Sequence, residues 1–323
     1  MGDPGGIGPE VVVRALADER LRGAARFTVI GEEAVLAGAA RVCGVAWPLP
    51  GVALEEVPGA GWPPVRTHDA RNGEQSFRLV ERAIEAAKLP KEDSRRVDGV
   101  VTGPISKEAW ALAGHRYPGH TELFAERFGV GDYAMMFYAP PSASEPSLNV
   151  VLVTTHLPLA SVPAAVTRES VQRAVRLGAE ALRRLGCARP RVAVCGLNPH
   201  AGENGLLGTE DRDVIAPAVA ELRREGFVVD GPLPGDTVFA RALHGPGLQP
   251  DYDLVAAMYH DQGLAPVKLI ARDRTVNMTV GLPVVRTSPD HGTAFDIAGK
   301  GKADAGSMAA AIEMAVKMAG QSE

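Results

Sequence analysis

The sequence has little cysteine, few aromatic rings, no excess of positive charge and no long apolar run. Only Cys43, Cys187 and Cys195 occur among 323 residues, and no C-x-x-C pair is present. That excludes a disulfide framework and a cysteine-built zinc or redox motif, and it fits a reducing, cytoplasmic setting. Aromatics make up 5% of the chain, so the core is built from Ala, Val and Leu rather than rings. Lys and Arg number 34 against 39 Asp and Glu, a net charge of -5. A basic footprint for nucleic acid is excluded, although a local positive site for a small anion is not. No apolar run approaches the roughly 18 residues of a membrane span. The opening MGDPGGIGPE lacks the basic-then-apolar pattern of a signal peptide.

What is present is ample core material, 46% hydrophobic against 23% charged. The length suits about two domains. Short apolar runs alternate with amphipathic segments. Strands are expected at Phe27–Ile30, Val97–Val101, Leu148–Thr154, Val192–Gly196, Leu254–Met258 and Val284–Arg286. Helices are expected over Val11–Leu16, Glu74–Leu89, Glu122–Phe128 (with Thr121 as N-cap), Arg168–Leu185 and Asp211–Glu225. Gly178 falls on the apolar face of the fourth and weakens it slightly. Pro48–Pro64 and Ala139–Pro146 read as loops. The alternation predicts an α/β protein with a largely parallel sheet.

Three of the eight histidines follow strand-like runs: His156 in LNVVLVTTHLP, His200 in RVAVCGLNPHAG and His260 in DLVAAMYHDQG. Ligands of α/β sheets bind beyond the carboxyl ends of parallel strands. Three imidazoles converging there would hold a divalent metal with positions open for substrate. Nitrogen donors suit zinc or cobalt better than magnesium. A lone histidine would read as a polar stop, but the repetition favours metal. Asp261 is a catalytic base, an orienter of an imidazole or a turn residue. Lys268, Asn277 and Arg286 follow, and the two cations suit a phosphate. His120 and Thr121 open a helix, where an anion also binds well. MGDPGGIGPE and SPDHGTAFDIAGKGKAD are glycine-rich but fit neither the Rossmann fingerprint nor the P-loop.

The blocks GDPGGIGPE, VTGPISKEA, GHTE, TTHLPL, LNPHAGENG, GTED, YHDQGLAPVK and DHGTAFDIAGKGKAD resemble, in order, those of the 4-hydroxythreonine-4-phosphate dehydrogenase family of vitamin B6 biosynthesis. The resemblance implies a two-domain α/β/α fold of the isocitrate/isopropylmalate dehydrogenase type, not a Rossmann fold. We expect residues 1–118 with 275–323 on the cofactor side and 119–274 on the metal and dimer side. It implies NAD-dependent oxidation of the 3-hydroxyl of 4-phosphooxy-L-threonine, with loss of CO₂ to give 3-amino-2-oxopropyl phosphate. His156, His200 and His260 would ligate a divalent metal (Zn, Co or Mg). His120, Thr121, Lys268, Asn277 and Arg286 would bind the phosphorylated substrate, with Lys268 or Asp261 as catalytic base. His291, Gly292, Thr293 and Asp296 would lie against NAD. The family is homodimeric with shared active sites. Its GDP motif normally follows a strand, so the natural chain is expected to begin upstream of Met1. Two relatives of the reaction stay open: a 4-phospho-D-threonate or 4-phosphoerythronate dehydrogenase, and, from another class, a three-histidine metal-dependent hydrolase or lyase. A non-catalytic phosphate-binding module would need no metal site.

Overall fold

The computed structural model describes residues 1–59, 64–140, 146–271 and 273–320. In chain order its elements are α1 Gly8–Ala17, α2 Glu19–Arg22, β1 Phe27–Gly31, α3 Glu33–Cys43, β2 Val52–Glu56, α4 Ala70–Lys88, β3 Gly99–Val101, α5 Lys107–Leu112 and α6 His120–Phe128. There follow β4 Ala134–Tyr138, β5 Asn149–Leu152, α7 Val162–Ala165, α8 Arg168–Arg184, β6 Arg191–Cys195, α9 Ala216–Arg224, β7 Val228–Leu233, β8 Leu254–Ala257, α10 His260–Ala271 and β9 Val276–Val280. The chain closes with β10 Val285–Pro289 and α11 Gly306–Ala319. Two compact units result: Met1–Val130 with Leu282–Glu323, and Gly131–Gly281. The expected breaks at 118/119 and 274/275 differ in where α6 and β9 fall. Helix α6 packs with α4 in the first unit. Strand β9 pairs with β4 over five residues in the second.

In the first unit β1 pairs with β2, and β3 with β10, both parallel. Its core joins Val11 and Leu16 of α1, Leu36 of α3 and Met308 and Ile312 of α11, so the two chain ends share one core. Asp69 caps α4 by accepting from the Arg71 amide at 2.9 Å. Buried Trp110 of α5 donates Nε1–H to Ser76 of α4 at 2.9 Å.

In the second unit the strands run in the order β9-β4-β5-β8-β6-β7. β4 is antiparallel to both neighbours, and the other pairs are parallel. Successive strand residues face opposite sides. On β5, Val151 meets α8 at Gly178, whereas Val150 and Leu152 meet α10 at Gly263. Helices therefore cover both faces, an α/β/α arrangement. Gly178 is no mere weakness in α8, because a Cβ there would come within 2.7 Å of Leu254.

Several elements correct the sequence reading. The stretch expected as a loop at Pro48–Pro64 contains β2; its residues 60–63, like 141–145 of the second expected loop, lie outside the described residues. Strands β4, β7 and β9 were not expected. Thr121 is not an N-cap but the second residue of α6, whose cap is Gly119. The expected helix at Asp211 opens instead with a π-turn, Asp211–Ile215, ahead of α9. Asp211 has turned its carboxylate to another task, described below. His260 is the first residue of α10 rather than a strand terminus.

Candidate active site

The second unit carries the imidazoles. β5, β8 and β6 are neighbouring parallel strands, and His156, His260 and His200 follow their carboxyl ends. The rings of His156 and His260 lie 5.5 Å apart, centre to centre, at 42°. Two imidazoles so placed suit one divalent ion, and an all-nitrogen donor set suits zinc or cobalt. His260 Nδ1 and Asp261 Oδ1 are 2.7 Å apart. With Nδ1–H donating to the carboxylate, Nε2 is left as the ligand atom. Among the described residues no group of three His, Cys, Asp or Glu side chains is drawn into one cluster. His200 is thus not gathered with the other two.

His200 stands on an unusual turn. His200, Ala201, Gly202, Glu203 and Asn204 all have positive φ, between 45° and 78°. Four of them are not glycine, and the left-handed conformation costs roughly 1–2 kcal/mol for each such residue. The compensation is local. Asp211 is 1% exposed. Its Oδ1 accepts from the Leu197 amide at 2.8 Å. Its Oδ2 accepts from the Asn198 amide at 3.1 Å and from Asn198 Nδ2 at 2.9 Å. Hydrogen bonds to a charged group contribute on the order of 1.5–3 kcal/mol each, which matches the cost of the turn. Neither Asp211 nor Asn198 was picked out by the sequence reading.

Lys268 and Asn277 also belong to this unit. Lys268 lies eight residues past His260 on α10, about 12 Å along the axis at 1.5 Å per residue. Asn277, on β9, has a buried Oδ1 with no hydrogen-bond partner among the described residues.

The first unit carries the anion-type residues. Arg286 on β10 is 4% exposed and donates Nη2–H to Thr102 Oγ1 at 2.7 Å. Burial lowers its pKa to about 10, with Glu122 acting in the opposite sense. His120 packs its ring edge against Trp110, and its buried Nε2 has no partner among the described residues. Burial, then the charges of Arg286, the N-terminus and Lys107, hold its pKa well below the ordinary histidine value. A neutral imidazole thus shares the field of a buried guanidinium, with buried Thr121 beside it.

The two glycine-rich motifs interlock in this unit. Ile7 N–H donates to Thr293 C=O at 2.8 Å, and a Cβ at Gly6 would sit 2.9 Å from Thr293. Buried Glu10 accepts the amides of Gly299 and, at 2.9 Å, Gly301. Glu10 was missed by the sequence reading. Thr293 is buried and Asp296 exposed; His291 Nδ1 bonds Gly292 C=O at 3.1 Å, and among the described residues its buried Nε2 has no partner. Asp3 is fully buried and accepts from the Gly5 amide at 2.9 Å through Oδ1, while its Oδ2 has no partner among the described residues. Burial raises its pKa to about 6.

A cavity of about 590 Å³ in this unit is lined by β1, β3, α4 and α11, and of the expected site residues only by His120. β1 and β3 each end a sheet and turn an unpaired edge. The Met1 ammonium donates to Ile30 C=O of β1 at 2.9 Å, and burial lowers its pKa to about 5. No helix among the described residues is long and apolar enough to cross a membrane.

Comparison with known proteins gives the family. The model of the family described as pyridoxal phosphate biosynthetic protein PdxA matches residues 24–315. A 4-hydroxythreonine-4-phosphate dehydrogenase of Geobacter metallireducens is 44% identical, over 99% of this chain and 94% of its own length. A D-threonate 4-phosphate dehydrogenase of Cupriavidus necator is 42% identical, over 99% and 96%. The crystal structure of a 4-hydroxythreonine-4-phosphate dehydrogenase from Klebsiella pneumoniae is 40% identical, covers 99% of this chain and 96% of that one, and superposes with a TM-score of 0.80. With its fold and nearly its whole length shared in this way, the chain belongs to the family of the pyridoxal phosphate biosynthetic protein PdxA.

Proposed function

We propose that this protein is an NAD-dependent, divalent-metal-dependent dehydrogenase that oxidises the 3-hydroxyl of 4-phosphooxy-L-threonine and releases CO₂. The observation that carries the reading is the set of three histidines beyond the carboxyl ends of three adjacent parallel strands. Hydride leaves C3 for NAD⁺ and the hydroxyl proton is released; the carboxylate, now β to a ketone, departs as CO₂, and C2 takes up a proton to give 3-amino-2-oxopropyl phosphate. A divalent metal held by His156, His200 and His260 would polarise the oxygen at C3 and stabilise the enolate formed on decarboxylation.

The chain's own groups divide the remaining work. Asp261 orients His260 through the 2.7 Å contact, and Asp261 and Lys268 are the two candidates for the base. Arg286, Thr121 and neutral His120 bind substrate oxygens, the guanidinium supplying charge and the imidazole an uncharged hydrogen bond. Lys268 and Asn277 complete the substrate set, Lys268 suited by its distance from His260 to the far, phosphate end. The interlocked loop of His291, Gly292, Thr293 and Asp296 holds NAD. Two copies of the chain form a dimer that completes each site. The enzyme works in the cytoplasm.

A second reading has equal support from the relatives, since one named for D-threonate 4-phosphate is 42% identical over the same span. The two substrates differ in an amine or a hydroxyl at C2. The protein incubated with NAD⁺, Co²⁺ and each acid, with NADH and CO₂ followed, separates them. Faster turnover of 4-phosphooxy-L-threonine is expected. Preference for the threonate selects the second reading, and absence of NADH with both removes the dehydrogenase reading.

A further inference from the structure

The turn that carries His200 is strained and exposed, yet it is anchored from beneath by a single buried carboxylate. We infer that Asp211, acting through Asn198, is the positioning residue that sets His200 for metal binding. The inference rests on the metal reading of the three histidines.

The hydrogen bonds bracket His200 on both sides. Asp211 takes the Leu197 and Asn198 amides and the Asn198 side chain, and Asn198 C=O in turn accepts from the Ala201 amide at 3.1 Å. Asn198 Nδ2 also reaches Glu210 at 2.8 Å. His200 thus lies in a turn that starts at Asn198, tied to the carboxylate, and closes at Ala201, tied to Asn198. The carboxylate sits in a cradle made for it. A Cβ at Gly196 would lie 2.8 Å from Oδ1, and one at Gly202 would lie 3.2 Å from Oδ2.

A second tie couples this loop to the element that carries His260. Gln262 of α10 donates Nε2–H to Gly196 C=O at 2.8 Å, and its Oε1 accepts from the Met258 amide at 2.6 Å. One side chain therefore spans the start of the His200 loop and the β8–α10 junction. The start of the loop is tethered by Gln262 at Gly196 and by Asp211 at Leu197 and Asn198. A left-handed run of this length has no intrinsic preference in a chain of L-residues. Without the anchor it relaxes, and the imidazole of His200 loses its fixed presentation to a metal.

Asp211→Asn keeps the volume but replaces one acceptor by a donor that faces amide N–H groups. The test is a Co²⁺ titration of the wild type, Asp211→Asn, His200→Ala and the double variant, read by visible d–d absorption, with circular dichroism to confirm folding. Loss of partners that orient a metal ligand lowers metal affinity about 10–100-fold. The expected result is a weakening of that size in Asp211→Asn, a spectrum matching that of His200→Ala, and no further loss in the double variant. Wild-type affinity and spectrum in Asp211→Asn overturn the inference, as does a double variant whose losses simply add. Should Asp211→Asn fail to fold, Asn198→Ala is read in the same way. A wild type that binds no Co²⁺ removes the metal reading instead. The positioning claim is then decided by amide hydrogen exchange at Ala201 and Leu207. Exchange at least tenfold faster in Asp211→Asn supports it, and unchanged exchange overturns it.

Discussion

The two units hold their polar groups in opposite ways. In the first, Arg286, His120, Asp3 and Glu10 are almost wholly buried, and burial moves the pKa values of the first three. In the second, His156 and His200 are exposed and His260 half-buried, and the cost lies in backbone geometry at residues 200–204. A buried guanidinium is arranged before any ligand arrives, so desolvation has been met by folding. Imidazoles at strand ends stay accessible, and their order depends on the loops that present them. Substitutions should therefore act differently on the two units.

The largest effect is expected at Arg286. Arg286→Met removes a buried charge whose proposed partner is the anionic substrate, and truncation of such a pair costs about 2–5 kcal/mol. KM for the phosphorylated substrate should rise about 30-fold or more, while Co²⁺ affinity is unchanged; an unchanged KM would place the anion elsewhere. Next is Glu10→Gln, which turns one of two acceptors against the amides of Gly299 and Gly301. A loss of about 2–4 kcal/mol in urea unfolding is expected, and a loss below about 0.5 kcal/mol would show that the interlock contributes little. In the second unit, Gly178→Ala should cost about 1–3 kcal/mol by overpacking α8 against Leu254 and Val151, without altering metal affinity. A neutral or stabilising outcome would show that α8 can shift.

The smallest effect is a pH signature confined to the first unit. Asp3, raised from 3.8 to about 6 in the folded state, contributes stability below pH 4 that is lost as pH rises through 6. Stability should therefore fall between pH 4 and 6, and Asp3→Asn should remove that fall. Urea midpoints across this range check it, and a wild-type curve no steeper than that of Asp3→Asn would mean that Asp3 is not desolvated as the fold implies.

Much of the fold was legible. β1, β5, β6 and β8 are apolar runs with clear ends, and α8 is strongly amphipathic with Thr167 as its cap. β2 was hidden because five strand residues, VALEE, lie within a stretch punctuated by proline and glycine, where turn chemistry dominates a local reading. The three histidines follow strand runs in the sequence, and in the fold they follow β5, β6 and β8. Glu10 was not, since its partners lie 289 and 291 residues away and no local pattern encodes such a contact. Asp211 reads as a helix start, and only the folded chain shows that its carboxylate serves a loop 13 residues upstream. The left-handed turn has a faint signal in the glycines of HAGENG, but four of its five residues are not glycine, and their conformation is imposed by tertiary contacts.

The division of labour between the units is tested most directly by one paired measurement. Co²⁺ affinity, from d–d absorption, and KM for 4-phosphooxy-L-threonine are determined for His260→Ala and Arg286→Met, using residual turnover where it permits and equilibrium binding of the substrate otherwise. His260→Ala is expected to lose Co²⁺ binding while still binding the phosphorylated substrate, and Arg286→Met to do the reverse. Wild-type Co²⁺ affinity in His260→Ala, or wild-type substrate binding in Arg286→Met, would contradict this division.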